Sequence, residues 1–391
     1  MPLLPFEYAV RNLGRSPLRL AMSVFGGAMV VLLMIAAAAF VRGMERSLAD
    51  SGSPNNVMLL GAGSEESIER SEIKASVASQ AAASIAGVRT RLGVPFVSPE
   101  VHMALTVGAT REEQKASTAQ VVVRGVQPGA FLVHPQVRII EGRAPTTGND
   151  EIMAGRLAAT RLGVDVDALA IGKTIWFDDK PWKIVGRFQA PGTVMDAEIW
   201  APLNDLKTSA KRDTISTVVV ALDSIDDFAQ VDNFAKTRVD LELVALCETD
   251  YYGKLMSFYQ PVRVMIWVTA GLIALGGVFG GLNTMYAAFA ARAREIGMLQ
   301  SLGFSWRAVA VSFVQESVLA AAAGALIAAA VSLIVLDGVA IKFSMGAFGL
   351  VLDGATIAIG LGSGLLLGLL GALPPAAKCL RMPITSALKA A

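Results

Sequence analysis

The chain has 391 residues, of which 53% are hydrophobic and only 17% charged, and its formal net charge is +1. Soluble domains carry about 25% charged residues, so this chain is short of charge for its length. Disordered chains are poor in apolar residues, glycine shows no collagen period and there are two cysteines. The near-zero net charge offers no bulk attraction to nucleic acid. What remains is a membrane protein with a substantial water-soluble part.

In chain order, four stretches lack Asp, Glu, Lys and Arg for about the 20 residues that a spanning helix needs: 20–41, 264–291, 317–336 and 354–377. The first is too long for a signal-peptide core of roughly 7–15 residues, and Arg42, Glu45 and Arg46 follow it directly. The expected layout is an amphipathic N-terminal segment (1–17), span one (18–41), a soluble domain (42–262), span two (263–291), a loop (292–308), span three (309–336), a short outer loop (337–353), span four (354–377) and a tail (378–391). The fold class is an α-helical membrane protein with four transmembrane helices, one plus three. A large mixed α/β domain is inserted between the first two.

Basic residues orient the spans. Arg11, Arg15 and Arg19 precede span one, Arg292, Arg294 and Arg307 lie between spans two and three, and Lys378, Arg381 and Lys389 follow span four. All three clusters fall on one side if both termini are cytoplasmic, which puts the inserted domain outside. Cys247 and Cys379 then lie on opposite faces of the membrane and cannot pair.

Within the inserted domain, Glu65 and Glu66 suit the start of a helix over 64–85. β-rich runs follow at 101–107, 120–126, 174–177, 182–185 and 217–222, with Gly, Pro and Asp-Asp turns between them. Short helices are expected at 158–163, with a glycine stop, and at 225–238. The helix-rich and strand-rich parts suggest two lobes.

Candidate chemistry in this domain is sparse. Gly172-Lys173-Thr174 resembles the end of a P-loop, but the position that needs the first glycine is Asp167. His102 and His134 stand without a metal-binding spacing and read as satisfied or surface histidines. Glu112-Glu113 and Asp178-Asp179 read as a solvated face and a turn. No catalytic, cofactor-binding or metal site is expected on this chain.

In the spans, Gly276, Gly277, Gly280 and Gly281 form two overlapping GxxxG pairs, and Gly360, Gly364 and Gly368 repeat the spacing. Small residues four apart let helix backbones approach closely, either within one subunit or between subunits. Glu316 is an ionisable group in a span and therefore a functional candidate. It is expected near the inner interface, capping local structure.

The loop reads Arg292-Ala293-Arg294-Glu295-Ile296-Gly297-Met298-Leu299-Gln300-Ser301-Leu302-Gly303-Phe304. Arg294 and Glu295 fit an exposed turn, Ile296, Leu299 and Leu302 an apolar face, and Gly303 a left-handed helix stop. This run resembles the R-E-I-G-x-x-x-A-L-G signature of MacB/FtsX-type ABC transporter permeases, with Ser301 where alanine is usual. The resemblance continues in Arg11-Asn12-Leu13 with Arg19, in Gln315-Glu316-Ser317, in 85–88 followed by 97–99, in the 171–186 hairpin, and in Ala376-Ala377 with Met382-Pro383-Ile384 and Ala387-Leu388-Lys389.

The resemblance implies a type VII (MacB/LolCDE-like) permease in the bacterial inner membrane. Arg294, Glu295, Ile296, Gly297, Leu299, Leu302 and Gly303 would form the coupling site for a separate cytosolic ABC ATPase, which holds the ATP and Mg. A second permease copy or paralogue completes the complex, and a periplasmic adaptor and outer-membrane duct are possible additions. ATP-driven motion would pass to the outer domain by mechanotransmission, exporting or extracting a hydrophobic or amphipathic substrate. The alternative from the same resemblance is an FtsX-like signalling module that controls an extracytoplasmic hydrolase without transport.

Overall fold

A computed structural model describes residues 4–117, 119–344 and 346–379. The closing motif at Met382-Pro383-Ile384 and Ala387-Leu388-Lys389 lies outside the described residues. The chain divides into two compact units. One comprises residues 1–42, 261–339 and 350–391, and the other residues 43–260 and 340–349.

The membrane unit is helical. A short amphipathic helix, α1 (Phe6–Gly14), precedes span one, α2 (Pro17–Ala49). Pro17 opens α2, where a missing N–H costs nothing and the fixed φ suits a first turn. Span two is α4 (Gln260–Ala291), which follows α3 (Glu248–Phe258) of the other unit. The loop folds into α5 (Ala293–Ser301), and spans three and four are α6 (Trp306–Val335) and α7 (Gly354–Cys379). All four long helices are long and apolar enough to cross a bilayer.

Burial within this unit is uneven. Val31 and Ile35 of α2 pack against Ala325, Ala328 and Ala329 of α6. By contrast, α4 buries only Ala270, Met285, Ala288 and Phe289. The rest of that apolar helix is not buried by the described residues.

The inserted unit is built on a ten-stranded mixed sheet. Its strands are β1 (Asn56–Gly61), β2 (Val97–Thr106), β3 (Gln120–Val126), β4 (Arg138–Gly142), β5 (Glu151–Gly155), β6 (Thr174–Phe177), β7 (Lys180–Gln189), β8 (Ile199–Pro202), β9 (Thr217–Ala221) and β10 (Leu243–Cys247). The spatial order is β10-β1-β9-β2-β3-β8-β5-β7-β4, with β6 on β7. The β3–β8 and β5–β7 pairs are parallel and the others antiparallel.

The two expected lobes share this sheet, because β2 is ten residues long and serves both. Its first half pairs with β9 and its second half with β3. The β6–β7 hairpin turns on Asp178 and Asp179, both left-handed at φ 53° and 57°, the conformation that a two-residue type I′ turn requires. Behind it Phe177 stacks on Trp182 at 4.7 Å, and both are fully buried.

Two readings need correction. The helix expected at 64–85 is a 3-10 turn (Ile68–Arg70) and a separate helix (Val77–Ser84). Between them Ile73 bridges to Ile215 as a strand would, so tertiary pairing overrides a helical pattern. Residues 337–353 are more than a loop: 340–343 and 346–349 pair as a hairpin that groups with the inserted unit.

Candidate functional site

The helix α5 has two different faces. Ala293, Ile296 and Gly297 are buried, and Ile296 joins Leu4, Met285, Phe289, Ala308, Val309 and Phe313 in one apolar cluster, with Leu299 against its edge. The opposite face carries Arg294, Met298 and Leu302, spaced four apart and therefore stacked along one side of a helix. Arg294 is exposed, Met298 is 50% exposed and Leu302 77%. Gly303 ends the helix in the left-handed region at φ 92°. Trp306 follows, 41% exposed, with the Arg307 guanidinium 5.0 Å from its ring centre.

These positions correct the expected apolar face. Ile296 points into the core, Leu299 lies at its edge and Leu302 points out. Gly297 is buried rather than on the outward face. Glu295 is already engaged: it accepts from Tyr8 Oη at 3.2 Å and from Arg15 Nη1 at 2.6 Å. It therefore ties α5 to α1 and to the residue after it. Arg294 is the exposed charge of the pair.

Glu316 faces Arg292 at the other side of the same cluster. Arg292 Nη2 donates to both carboxylate oxygens at 2.7 Å, and its guanidinium lies 5.1 Å from the Phe313 ring centre. The motif glycines divide. Gly360 meets Ile35, Gly364 meets Ala325 and Val31, Gly368 meets Ala321, Gly277 meets Val30 and Gly281 meets Gly371, all within the chain. Gly276 and Gly280 face open space. They line a groove of about 680 Å³ together with Gly26, Gly27 and Val30 of α2.

The inserted unit holds a second, unexpected constellation. Arg124 on β3 is 2% exposed and stands opposite His102 on β2 and Trp200 on β8. It donates through Nε and Nη2 to Glu198 at 2.7 Å each, and through Nη1 to Glu100 at 2.9 Å. Glu100 also meets His134 Nε2 at 2.8 Å and His102 Nε2 at 3.1 Å, and accepts from Ser98 Oγ. Trp200 Nε1 donates to Glu198 at 2.8 Å. Near His134 lies Glu248, the first residue of α3, whose Oε2 accepts from Ser53 N and Asn56 Nδ2.

The charges follow from this geometry. Burial pushes the Glu100 carboxyl up, but the charges of His134 and Arg124 reverse it and hold it well below the ordinary range. Glu198 is likewise lowered, burial being outweighed by Arg124. Burial and Arg124 push His102 down toward neutrality. His134 is raised, because Glu100 and Glu248 outweigh its burial. Glu248 is raised, since burial outweighs its partners. Of the two readings, satisfied or surface, the histidines are buried and satisfied, apart from His134 Nδ1. Two signals were available in the sequence: Ser98, Glu100 and His102 alternate along one face of an apolar strand, and Arg124 interrupts a valine run.

Four spans with a mixed-sheet domain between the first two define a one-plus-three membrane permease, and comparisons with known proteins agree. Residues 20–236, more than half of the chain, match the MacB-like periplasmic core domain, and residues 267–384 match the FtsX-like permease C-terminal domain. The chain belongs to the MacB/FtsX-type ABC transporter permeases, a class that works with a partner ATPase. It is 24% identical over 306 residues to the uncharacterized ABC transporter permease YknZ of Bacillus subtilis (strain 168), covering 72% of this chain and 74% of that one. Among solved structures it is similar to the extracellular domain of the noncanonic ABC-type transporter YknZ from Gram-positive bacteria, with a TM-score of 0.36 and 15% identity over 49% of this chain and 100% of that one. It is also similar to the periplasmic region of MacB from Actinobacillus actinomycetemcomitans, with a TM-score of 0.38 and 13% identity over 53% and 94% respectively.

Proposed function

We propose that this chain couples ATP hydrolysis on a separate cytosolic ATPase subunit to movement of its inserted domain, and so exports or extracts a hydrophobic or amphipathic substrate. The observation that carries the reading is the outward face of α5. Arg294, Met298 and Leu302, with Trp306 beyond them, form an exposed apolar strip with one charge at its end. Apolar and aromatic anchors of this kind dominate binding energy at interfaces. The inner face of α5 is fixed by Ile296 in the core and by Glu295 on Tyr8 and Arg15, which suits a helix that must transmit force.

Transmission then needs stiff elements. The α2 helix continues unbroken from Pro17 to Ala49, and its last seven residues belong to the inserted unit. Rigid-body motion of continuous helices is a common means of carrying a change across a protein. A second permease copy suits the membrane face around Gly276 and Gly280, where α4 is uncovered. In this reading both termini and α5 are cytoplasmic and the inserted domain is extracytoplasmic. The test is affinity capture of the tagged wild-type chain from membranes, followed by assay for ATP hydrolysis. Co-purification of an ABC ATPase with two permease chains supports the reading, and recovery of a single permease chain with no ATPase contradicts it.

A further inference from the structure

His134 is fully buried between two carboxylates that reach it from different elements. Its Nε2 lies 2.8 Å from Glu100 on β2, and its Nδ1 lies 3.9 Å from Glu248 Oε1 at the start of α3. Nδ1 has no hydrogen-bond partner. The other oxygen of Glu248 holds Ser53 N at 3.0 Å and Asn56 Nδ2 at 2.9 Å. Ser53 follows the end of α2, Asn56 opens β1, and α3 leads to α4. One carboxylate therefore joins the segment where the chain enters the inserted unit to the helix by which it leaves.

We propose that a protonated His134 compensates the buried Glu248 carboxylate, and that loss of this proton leaves Glu248 uncompensated and frees it from Ser53 and Asn56, so that the entry and exit segments of the inserted unit are latched in a pH-dependent way. With the proton present, Nδ1–H faces the Glu248 carboxylate at 3.9 Å, too far for a hydrogen bond but close enough for an ion pair. When the proton leaves to water, the remaining imidazole proton stays on Nε2, donating to Glu100, and the Nδ1 lone pair then faces a full negative charge. A cavity of about 120 Å³ lies beside Glu248, lined also by Glu100, Arg124, Tyr252, Leu255 and Met44. It gives the carboxylate a place to turn.

The surrounding groups set the sign. Around His134 and Glu248 stand Glu100 and His102 from β2, Arg124 from β3, Glu198 and Trp200 from β8 and its approach, Asn56 from β1 and Tyr252 from α3. Arg124 is committed to Glu100 and Glu198, which leaves Glu248 with His134 as its only nearby cation among the described residues. His134 and Glu248 are both raised. A group raised in the folded state adds stability that is full below its unfolded pKa and lost as pH climbs through the folded one. The latch is therefore closed on the acid side and opens as pH climbs.

The inference is independent of ATPase docking and is tested on the full chain in nanodiscs. Amide hydrogen exchange is measured at pH 6 and pH 8.5 and corrected for intrinsic chemistry. We expect exchange at 51–56 and in the first turn of α3 to rise at least several-fold, while the middle of β2 stays unchanged. Glu248→Gln keeps an acceptor but cannot ionise, and should remain protected at both pH values. Equal wild-type protection at both pH values, or a wild-type rise retained in Glu248→Gln, overturns the proposal. The chain has two histidines, so nitrogen-15 histidine spectra of the wild type give a second measure. A cationic His134 at pH 6 that loses its proton by pH 8.5 supports the latch. A neutral His134 at pH 6 overturns it even if the variant fails to fold.

Discussion

Arg292 closes a forked contact on Glu316, donating to both carboxylate oxygens at 2.7 Å from a position just before α5. The two side chains are 14% and 11% exposed. The acid in span three is thus compensated by the residue that introduces the coupling helix, and it holds that helix against α6. Breaking a buried ion pair by removing one partner costs about 3–5 kcal/mol, because the other charge is left uncompensated. Glu316→Leu should lower stability in detergent by that order. The double variant with Arg292→Leu should recover much of it. Additive losses in the double variant would show that the two residues act separately.

A second expectation concerns the inserted domain. Arg124 bridges Glu100 and Glu198 with no water-exposed alternative, so Arg124→Met leaves two buried carboxylates facing each other. The expected loss is again about 3–5 kcal/mol, read by denaturant unfolding of the full chain. The acid limb follows from the same contacts. Glu100 and Glu198 are depressed in the folded state, so their contribution is present above the ordinary carboxylate range and is lost as pH falls through their folded values. Wild-type stability should fall below about pH 4, and Arg124→Met should show a weaker acid dependence. An unchanged acid limb in that variant would contradict this.

The clamp between α5 and α1 makes a third prediction. Glu295→Lys places a cation beside Arg15 and removes the acceptor of Tyr8. Ala9 on α1 is fully buried. A cysteine at residue 9 should react slowly with a maleimide in the wild type and at least several-fold faster with Glu295→Lys. Equal rates would mean that α1 is held by packing alone.

Topology is tested by labelling intact cells, or spheroplasts if there is an outer membrane. Cysteines introduced at Glu112 and at Ser301 are both at exposed positions. An impermeant maleimide should reach residue 112 and not residue 301. The reverse pattern would invert the orientation.

The spans and half of the ten sheet strands were legible because each obeys a local rule. Charge-free runs of about 20 residues identify helices in a membrane, and Thr174–Phe177 and Gln120–Val126 carry the β-branched pattern of strands. What failed depended on partners distant in sequence. The helical pattern near Ile73 gave way to pairing with Ile215, 142 residues later. The direction of Ile296, Leu299 and Leu302 was decided by Leu4, Phe289 and Phe313, which cover one side of α5. The ion network escaped for the same reason. Glu100, Arg124, His134, Glu198 and Glu248 sit on separate elements and meet only through the order of the sheet.

Docking of a cytosolic ATPase on the outward face of α5, as proposed, is tested most directly by subunit retention in a variant with Met298→Glu and Leu302→Glu. Both side chains are exposed, so the substitutions should leave the permease folded. A charge placed in an apolar contact is left unpaired and desolvated when the partner binds. The account predicts that the wild-type chain co-purifies with an ABC ATPase, and that the double variant loses more than about nine-tenths of it, a change worth about 1.4 kcal/mol or more. Glu112→Lys in the inserted domain, as a control, should retain it. Wild-type retention and turnover in the double variant would contradict the account and leave α5 a connector between two spans.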